Sequence, residues 1–246
     1  GYFLLIQAGR SPISSASKAT SIINVQNSIQ DLQIAIIGGG AAGFFSAIAV
    51  KEKHPTARVT IYEKSAKVLA KVKVSGGGRC NVTNGCQDID LLAKAYPRGE
   101  KLLRRAFHRW HTRHTMEWFE QRGVPLVTQE DNCVFPQAQD SQVIIDCFWN
   151  EVRRLGITVK TSCGVSKITP VQQQFEIHFI QQQDTIRADK IIVATGGSPR
   201  RKGLEWLETL GHQIETPVPS MFTFNMPDES IRELMGLVVE TTQTSI

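Results

Sequence analysis

The sequence has few cysteines, and those it has are poorly placed for pairing. The five cysteines, at positions 80, 86, 133, 147 and 163, are odd in number and show no C-x-x-C spacing. This pattern disfavours both a disulfide framework and a zinc site. We therefore expect a reducing compartment and predict a cytoplasmic location.

Long apolar runs are also missing from the sequence. The longest, such as 2–6 and 34–37, are far shorter than the roughly 20 residues that a helix needs to cross a bilayer, so we predict no membrane span. No internal repeat is visible. With 41% hydrophobic and 21% charged residues, the chain is expected to be globular, and its net charge of +5 is compatible with a polyanionic partner or ligand.

The first 30 residues lack acidic side chains entirely, are rich in serine and carry only Arg10 and Lys18 as charges. This composition resembles an organelle transit peptide only faintly, and we predict a disordered leader over 1–32. The chain begins at Gly1 without a methionine and stops at Ile246 within an apolar stretch. Both features favour a fragment of a longer protein.

A glycine-rich turn follows the first predicted strand. Residues 33–37, QIAII, read as a short buried strand, and GGGAAG follows at once, with a helix predicted over 41–53. Gly38, Gly40 and Gly43 fill the G-x-G-x-x-G pattern. In this context the first glycine permits a tight turn, the second lets the backbone approach a pyrophosphate, and the third lets helix and strand pack closely.

A carboxylate follows the second predicted strand. That strand covers 58–62 and is followed by Glu63, 20 residues beyond Gly43. A carboxylate at this position accepts hydrogen bonds from an adenosine ribose and repels a 2′-phosphate. Taken separately, Glu63 is compatible with a solvated strand end and the glycines with a tight turn, but together they predict a dinucleotide site.

The stretch SGGGRCNVTN, residues 75–84, contains three successive glycines. Glycines in such a run point to positive φ angles or to a close approach by the backbone. We predict that the amides of this loop contact the pyrophosphate and ribityl arm of a flavin, which needs more backbone than a nicotinamide site. Arg79 either neutralises phosphate or anchors the loop, and a plain surface loop is the structural alternative.

The second half of the chain reads mainly as strands. A strand is predicted over 157–161, and three short β runs at 165–168, 175–180 and 185–188 indicate an antiparallel meander. The segment KIIVATGG, 190–197, reads as a buried parallel strand that ends in a turn beside the cofactor crevice.

These motifs, in this order, resemble those of the BaiN/RdsA-type NAD(P)/FAD-dependent oxidoreductases, also known as aminoacetone oxidase family or HI0933-like flavoproteins. The resemblance covers roughly residues 33–235. It rests on IIGGGAAG at 36–43, the glutamate and lysine at 63 and 64, K-V-x-x-SGGGRCN-x-TN from Lys71 or Lys73 to Asn84, VFP at 134–136 and ATGG at 194–197, with GH at 211–212 and the prolines at 217 and 219.

The resemblance implies an α/β fold: a Rossmann-like FAD-binding domain, here over 33–215, with a parallel sheet, helices and the antiparallel meander as its crossover. Residues 216–246 would begin a truncated β-rich substrate domain. The predicted cofactor-binding residues are Gly38, Gly40, Ala41, Ala42, Gly43, Glu63, Lys64, Ser75, Gly76, Gly77, Gly78, Arg79, Cys80, Asn81, Val165, Ala194, Thr195 and Gly196. Val165 is included only because of the resemblance, which implies that its backbone contacts the adenine.

The function that the resemblance implies is the reduction of an activated C=C bond by FAD, with NAD(P)H as the hydride donor. The substrate is either a uridine in ribosomal RNA or a conjugated ketosteroid-like compound. Amine oxidation is an alternative activity within the family. The alternative that is not an enzyme is a truncated, non-catalytic dinucleotide-binding module. The sequence names no catalytic acid or base.

A basic segment at 101–123 reads as a helix that breaks near Thr112. Helical spacing places Leu103, Phe107, Trp110, His114 and Trp118 on one stripe, and Lys101, Arg104, Arg105, His108 and Arg109 opposite. The basic side is either a solvated face or a contact surface for RNA. His108, His111 and His114 fan out around a helix at this spacing, so no metal site is predicted. Cys80 is either a redox thiol or a loop-packing residue.

Overall fold

The computed structural model describes residues 31–96, 98–180, 184–198 and 200–218, together with a short strand at 4–6 and residues 230 and 233. Most of the predicted leader and of the predicted β-rich start at 216–246 lies outside these described residues. The strand at 4–6 falls inside the region that the sequence predicts as a disordered leader, and most of the rest of that prediction concerns residues that are not described. The backbone of residues 4–6 completes the edge of a sheet, where an unpaired strand offers free hydrogen-bonding groups.

The elements follow one another in an α/β order. The strands are β1 (Leu4–Ile6), β2 (Gln33–Ile37), β3 (Arg58–Tyr62), β4 (Thr83–Asn84), β5 (Leu126–Thr128), β6 (Cys133–Pro136), β7 (Thr158–Lys160), β8 (Val165–Val171), β9 (Gln174–Phe179), β10 (Ile186–Ala188) and β11 (Lys190–Val193). The helices are α1 (Ala41–Lys53), α2 (Ala70–Val74), α3 (Ile89–Lys94), α4 (Glu100–Phe107), α5 (Thr112–Glu120) and α6 (Gln142–Arg154).

The main sheet has the strand order β1-β11-β2-β3-β7. Four of its strands are parallel, and β1 pairs antiparallel with β11 at the edge. Strand β2 is buried on both faces, because Ile34 and Ile36 pack with the helices on one side while Ala35 and Ile37 pack with the antiparallel strands on the other. A Rossmann-like sheet with covered faces is therefore present.

Two smaller antiparallel sheets flank the main sheet. Strands β8, β9 and β10 form the predicted meander, with β9 in the centre, and they cover the face opposite α1. Strands β4, β6 and β5 form a second three-stranded sheet. It joins the end of the SGGGRCNVTN stretch to the region before α6, so it supports the glycine-rich loop.

Helices α1 and α6 cover the other face of the main sheet. Phe44 of α1, which is fully buried, makes edge contacts with Phe148 and Trp149 of α6 at ring-centroid distances of 6.0 and 5.4 Å. Such aromatic pairs stabilise a core by more than the burial of their apolar surface alone provides. This packing fixes the start of α1 at the carboxyl edge of the sheet.

The basic segment folds as two helices, α4 and α5, as the predicted break near Thr112 requires. The predicted apolar stripe is wrong at Trp110, which lies between the helices and is 41% exposed, whereas Trp118 is buried. The predicted basic face is wrong at Arg104, which is half-buried and pairs with Asp90 and Glu100. The error at Trp110 arises because the helix breaks between Phe107 and Thr112. The error at Arg104 arises because its guanidinium pairs with Asp90 and Glu100.

Among the described residues, no helix combines the length and the apolar character that a membrane crossing requires.

Candidate functional site

Three parallel strands end side by side at one edge of the main sheet. The register pairs Ile37 of β2 with Tyr62 of β3 on one side and with Val193 of β11 on the other. The segments that follow these strands are the turn 38–43, Glu63 and the turn 194–197. All three predicted regions therefore meet at the carboxyl edge, where open α/β sheets bind their ligands.

Two glycines of the turn 38–43 are required by the chain itself. Gly38 has a φ of +114°, and a Cβ there would collide with the carbonyl oxygen of Ala194. A Cβ on Gly43 would collide with the carbonyl oxygen of Gly38. These contacts hold the turn against β11 and bring α1 close to β2, as the motif predicts.

Gly40 has no such reason to be glycine. Its φ of −86° is open to any residue, and a Cβ there would meet no atom within 4 Å. It is the N-cap of α1 and provides no side-chain cap, and the first turn holds no acidic residue. The amides at the start of α1 thus face open space and carry the positive end of the helix dipole.

The carboxylate of Glu63 lies beside this turn. Its two oxygens accept hydrogen bonds from the amide of Gly39, at 2.7 Å, and from the amide of Ser65, at 2.8 Å. The side chain is thereby held at the end of β3, next to the glycine turn. This is the place where the motif predicts a ribose contact.

The loop 75–81 is held in place mainly by residues that are distant in sequence. The guanidinium of Arg79 lies 4.0 Å from the centroid of the Phe135 ring and hydrogen-bonds to Gly76 and Gln139. The carbonyl of Gly78 accepts from the amide of Ser141, at the start of α6. Of the two roles predicted for Arg79, these contacts favour anchoring over phosphate neutralisation.

The anchored loop faces the start of α1 across a cavity of about 260 Å³. Its lining includes Ala41 from α1, and Ser75, Cys80 and Asn81 from the loop. The remaining wall is largely apolar and comes from Val72, Val82, Phe119, Ile144 and Phe148, with Lys71 beside them. The glycine turn and the SGGGRCNVTN loop therefore share one cavity.

The three glycines of the loop differ from one another. A Cβ on Gly76 would lie 2.7 Å from the ring of Phe135, so packing requires this glycine. Gly77 and Gly78 have φ angles of +68° and +86°, and a Cβ on either would meet nothing within 4 Å. Positive φ explains why they are glycines, and the open space leaves their backbone accessible.

Cys80 is buried and has a φ of +63°. Its amide donates to the carbonyl of Ser75 at 2.9 Å. Burial raises the pKa of the thiol, which a side-chain hydrogen bond with Ser75 only partly offsets. The thiol therefore stays protonated near neutral pH, and of the two predicted roles this favours loop packing over redox chemistry.

The turn after β11 borders the same cavity through Lys71. A Cβ on Gly196 would lie 3.8 Å from the Nζ atom of Lys71, which also lines the cavity. Ala194 is buried against Gly38, and Thr195 approaches the same glycine. The sequence reasoning missed Lys71 as a site residue, although its place in the K-V-x-x-S stretch was a usable signal.

Lys64 and Val165 lie on the far side of Glu63. A Cβ on Gly164, the residue before Val165, would lie 3.3 Å from the Cβ of Lys64, and the amide of Cys163 donates to the carbonyl of Glu63. Ala42, in contrast, packs partly buried on the core. The structure thus brings Val165 to the Glu63 end of the site and keeps it away from the cavity.

Two histidines of the basic segment, His111 and His114, cap the start of α5. The Nδ1 atom of His111 accepts from the amide of Arg113, and Nδ1 of His114 accepts from the amide of His111. This reciprocal arrangement caps the start of the helix. In the part of the chain that the structure describes, no group of three His, Cys, Asp or Glu side chains is placed to hold a metal ion.

Residues 32–238 match the family described as HI0933-like protein Rossmann domain. The chain belongs to this family.

Curated relatives of the HI0933-like chain are enzymes. It is 24% identical over 211 residues to a 3-dehydro-bile acid delta(4,6)-reductase of Clostridium scindens, with 83% of the chain and 50% of the relative covered. It is 24% identical over 222 residues to a ribosomal RNA dihydrouridine synthase of Haemophilus influenzae, with 86% and 54% covered. The chain spans about half the length of these relatives.

A solved structure with a similar fold is a 3-ketosteroid-delta4-(5alpha)-dehydrogenase of Rhodococcus jostii. The TM-score is 0.54 and the sequence identity 12%, with 74% of this chain and 50% of that one covered. At this identity the likeness establishes the fold of the HI0933-like chain only.

Proposed function

We propose that the chain binds FAD and forms part of an oxidoreductase that reduces an activated C=C bond, with NAD(P)H as the hydride donor. The observation that carries the proposal is the cavity shared by Ala41 and the loop residues Ser75, Cys80 and Asn81. Two segments that are distant in sequence line it. A long dinucleotide with a ring at one end needs contacts from more than one segment, whereas a single phosphate does not.

The residues fit the anionic part of FAD. The uncapped amides at the start of α1 would hold the pyrophosphate, because the helix dipole favours negative charge at this end. Gly40 would let the phosphates approach the backbone, since its Cβ position is open. Gly38 and Gly43 would act indirectly, by keeping the turn against β11.

The residues also fit the other parts of the cofactor. Glu63 would accept hydrogen bonds from the adenosine ribose, and the backbone near Val165 and Lys64 would face the adenine. The amides of Gly77 and Gly78, with Asn81, would contact the arm between pyrophosphate and flavin. Ala194, Thr195 and Gly196 would close the site from β11, and Lys71 would provide a positive charge between them and the cavity.

When bound, the flavin supplies the hydride chemistry, and the protein supplies orientation and electrostatics. The buried side chains of Val72, Phe119, Ile144 and Phe148 would exclude water from one side of the cavity. The two curated relatives are named for reducing a bile acid and for forming dihydrouridine, and both names denote the saturation of a ring C=C bond. The candidate substrates are therefore a conjugated ketosteroid-like compound and a uridine in ribosomal RNA.

The visible spectrum of the purified chain tests the proposal. We expect a stoichiometric flavin band near that of free FAD, either as purified or after adding FAD, and loss of this band when NADPH or NADH is added without air. A conjugated ketone such as 4-androstene-3,17-dione, or a uridine-containing RNA, should restore the band and gain two hydrogens by mass. A colourless chain that FAD cannot reconstitute would contradict the proposal.

A further inference from the structure

A second cavity lies next to the proposed cofactor cavity. Its volume is about 380 Å³, which is at the small end of the range of about 300–1,000 Å³ typical of ligand sites. Asn81 and Val82 line both cavities. A ligand in the second cavity would thus lie next to a cofactor in the first.

One wall of this cavity is aromatic, with Tyr96, Phe107 and Trp110 among its lining residues. Tyr96 is 45% exposed and Trp110 is 41% exposed, although large aromatic side chains are usually well buried. The ring of Trp110 is held by Phe45, at a centroid distance of 5.1 Å, and by a 3.0 Å hydrogen bond from Nε1 to Thr115. The Trp110 ring is therefore held in place, and both rings are accessible, as a surface for stacking requires.

Much of the remaining lining is polar and is called here the polar wall. Asn81, Thr83 and Asn84 line it from the SGGGRCNVTN stretch, and His111 and Thr115 line it from α5 and its N-cap. His111 uses Nδ1 as a helix cap, which leaves Nε2 for a ligand. Burial and the neighbouring His114 and Arg113 lower the pKa of His111, so the ring is neutral at pH 7. Amide, hydroxyl and imidazole groups together match the edge of a nucleobase.

The chain segment that contributes the aromatic residues is strongly basic. Residues 94–113 contain seven lysines and arginines against a single acid, Glu100. Arg104 is neutralised by ion pairs, but among the described residues no ion pair holds Lys101, Arg105 or Arg109. These three cations are exposed and free to contact phosphate. A neutral steroid would not need them.

We propose that the second cavity receives an unstacked nucleobase of single-stranded RNA, with Lys101, Arg105 and Arg109 on the neighbouring phosphates. Tyr96 and Trp110 stack on the base, and the polar wall reads its edge. The expectation that this base is a uracil rests on the proposed function, because uracil carries the conjugated C=C bond that such an enzyme would saturate. The binding itself needs no cofactor.

The test compares two labelled RNA probes by fluorescence anisotropy, with the full chain and no added flavin. One probe is a short oligouridylate, and the other is an abasic strand of the same length. We expect the oligouridylate to bind more tightly, and Tyr96→Ala to raise its Kd about tenfold without changing that of the abasic probe. Leu102→Ala is the matched control, because Leu102 is 72% exposed on α4 and does not line the cavity.

The phosphate contacts are tested by the salt dependence of the Kd. The double substitution Arg105→Gln and Arg109→Gln should lower the slope of log Kd against log salt by about 1.4, or about 0.7 for each lost contact. The control double substitution Lys53→Gln and Lys167→Gln removes two exposed lysines outside 94–113 and should leave the slope unchanged.

Two results would overturn this inference. Equal affinity for both probes would show that the surface is basic but has no base site. Binding of 4-androstene-3,17-dione that depends on Tyr96, without oligouridylate binding, would assign the cavity to a steroid. A colourless chain that still binds the oligouridylate would refute the proposed flavin function alone and leave the nucleobase site standing.

Discussion

The two glycine-rich turns of the site contain glycines of two different kinds. Gly38, Gly43 and Gly76 are fixed by the chain itself, because a Cβ at each would strike backbone or an aromatic ring. Gly40 is not, since it has an ordinary φ and an open Cβ position. We propose that a glycine without such an internal reason lies where a ligand approaches, while the others build the fold.

The largest effect should come from a glycine of the first kind. Gly43→Ala places a methyl group against the carbonyl of Gly38, so α1 must move away from β2. We expect a loss of about 3 kcal/mol in the free energy of unfolding, measured by urea denaturation. A loss below about 0.5 kcal/mol would mean that the turn adapts and that the comparison fails.

A substitution on α6, close to the C-terminal end of α1, should lower stability without changing cofactor binding. Glu151, which is 9% exposed, pairs with Arg154 and Arg122, and both arginines also contact Glu52 of α1. We expect Glu151→Gln to reduce the free energy of unfolding by about 1–2 kcal/mol at pH 7 and to leave FAD affinity unchanged. Urea denaturation and FAD titration measure the two effects.

This loss should depend on pH. The hydrogen bond from Arg154, with that from Arg122, lowers the pKa of Glu151 in the folded protein. A lowered pKa means that the carboxylate stabilises the fold above the unfolded pKa, near 4.3, and that this stabilisation is lost as the pH falls through the folded pKa. Wild type and Glu151→Gln should therefore converge in stability as the pH falls below the folded pKa of Glu151. An unchanged gap would contradict the ion-pair explanation.

Substitution of Gly40, a glycine of the second kind, should affect FAD affinity more than stability, which is the reverse of the result expected at Gly43. Gly40→Ala removes no contact, and as a change at an N-cap it should cost less than about 1 kcal/mol of stability. We expect FAD affinity to fall at least about tenfold, equivalent to about 1.4 kcal/mol, because the methyl group occupies the approach of the pyrophosphate. Fluorescence titration measures the affinity, and an unchanged Kd would refute the ligand-facing role of Gly40.

The smallest effect should distinguish two lysines of α2. Lys71 faces the cavity near Gly196, whereas Lys73 contacts Asp140 at 3.6 Å and Gln142 at 3.2 Å on the other side. We expect Lys71→Gln to weaken FAD binding about three- to fivefold at low salt and less at high salt, because exposed charges are screened. Lys73→Gln serves as the control, and an equal loss in both variants would remove Lys71 from the site.

The core of the nucleotide fold was predictable because local signals agree there. The predicted bounds of β2, α1 and β3 match the structure, since a short apolar run, a glycine turn and a helical pattern each point to the same element. Helix α6 also carries a readable signal that the sequence reasoning did not use. Its buried residues 144, 147, 148, 151 and 152 have the spacing of one helix face.

The supports of the loop 75–81 were not predictable in the same way. Phe135, Gln139 and Ser141 lie about 60 residues further along the chain, and no local pattern links them to the loop. The second cavity also depends on the phase change between α4 and α5, which turns Trp110 outward. A prediction based on one continuous helical stripe through 101–123 therefore misses the exposed position of Trp110.

We propose that the segments 38–43, 75–81 and 194–197 contact one bound FAD. Hydrogen–deuterium exchange of the chain, with and without saturating FAD, is the direct test. We expect FAD to slow exchange of the backbone amides in all three segments together. Slower exchange in 38–43 alone, with 75–81 unchanged, would contradict it.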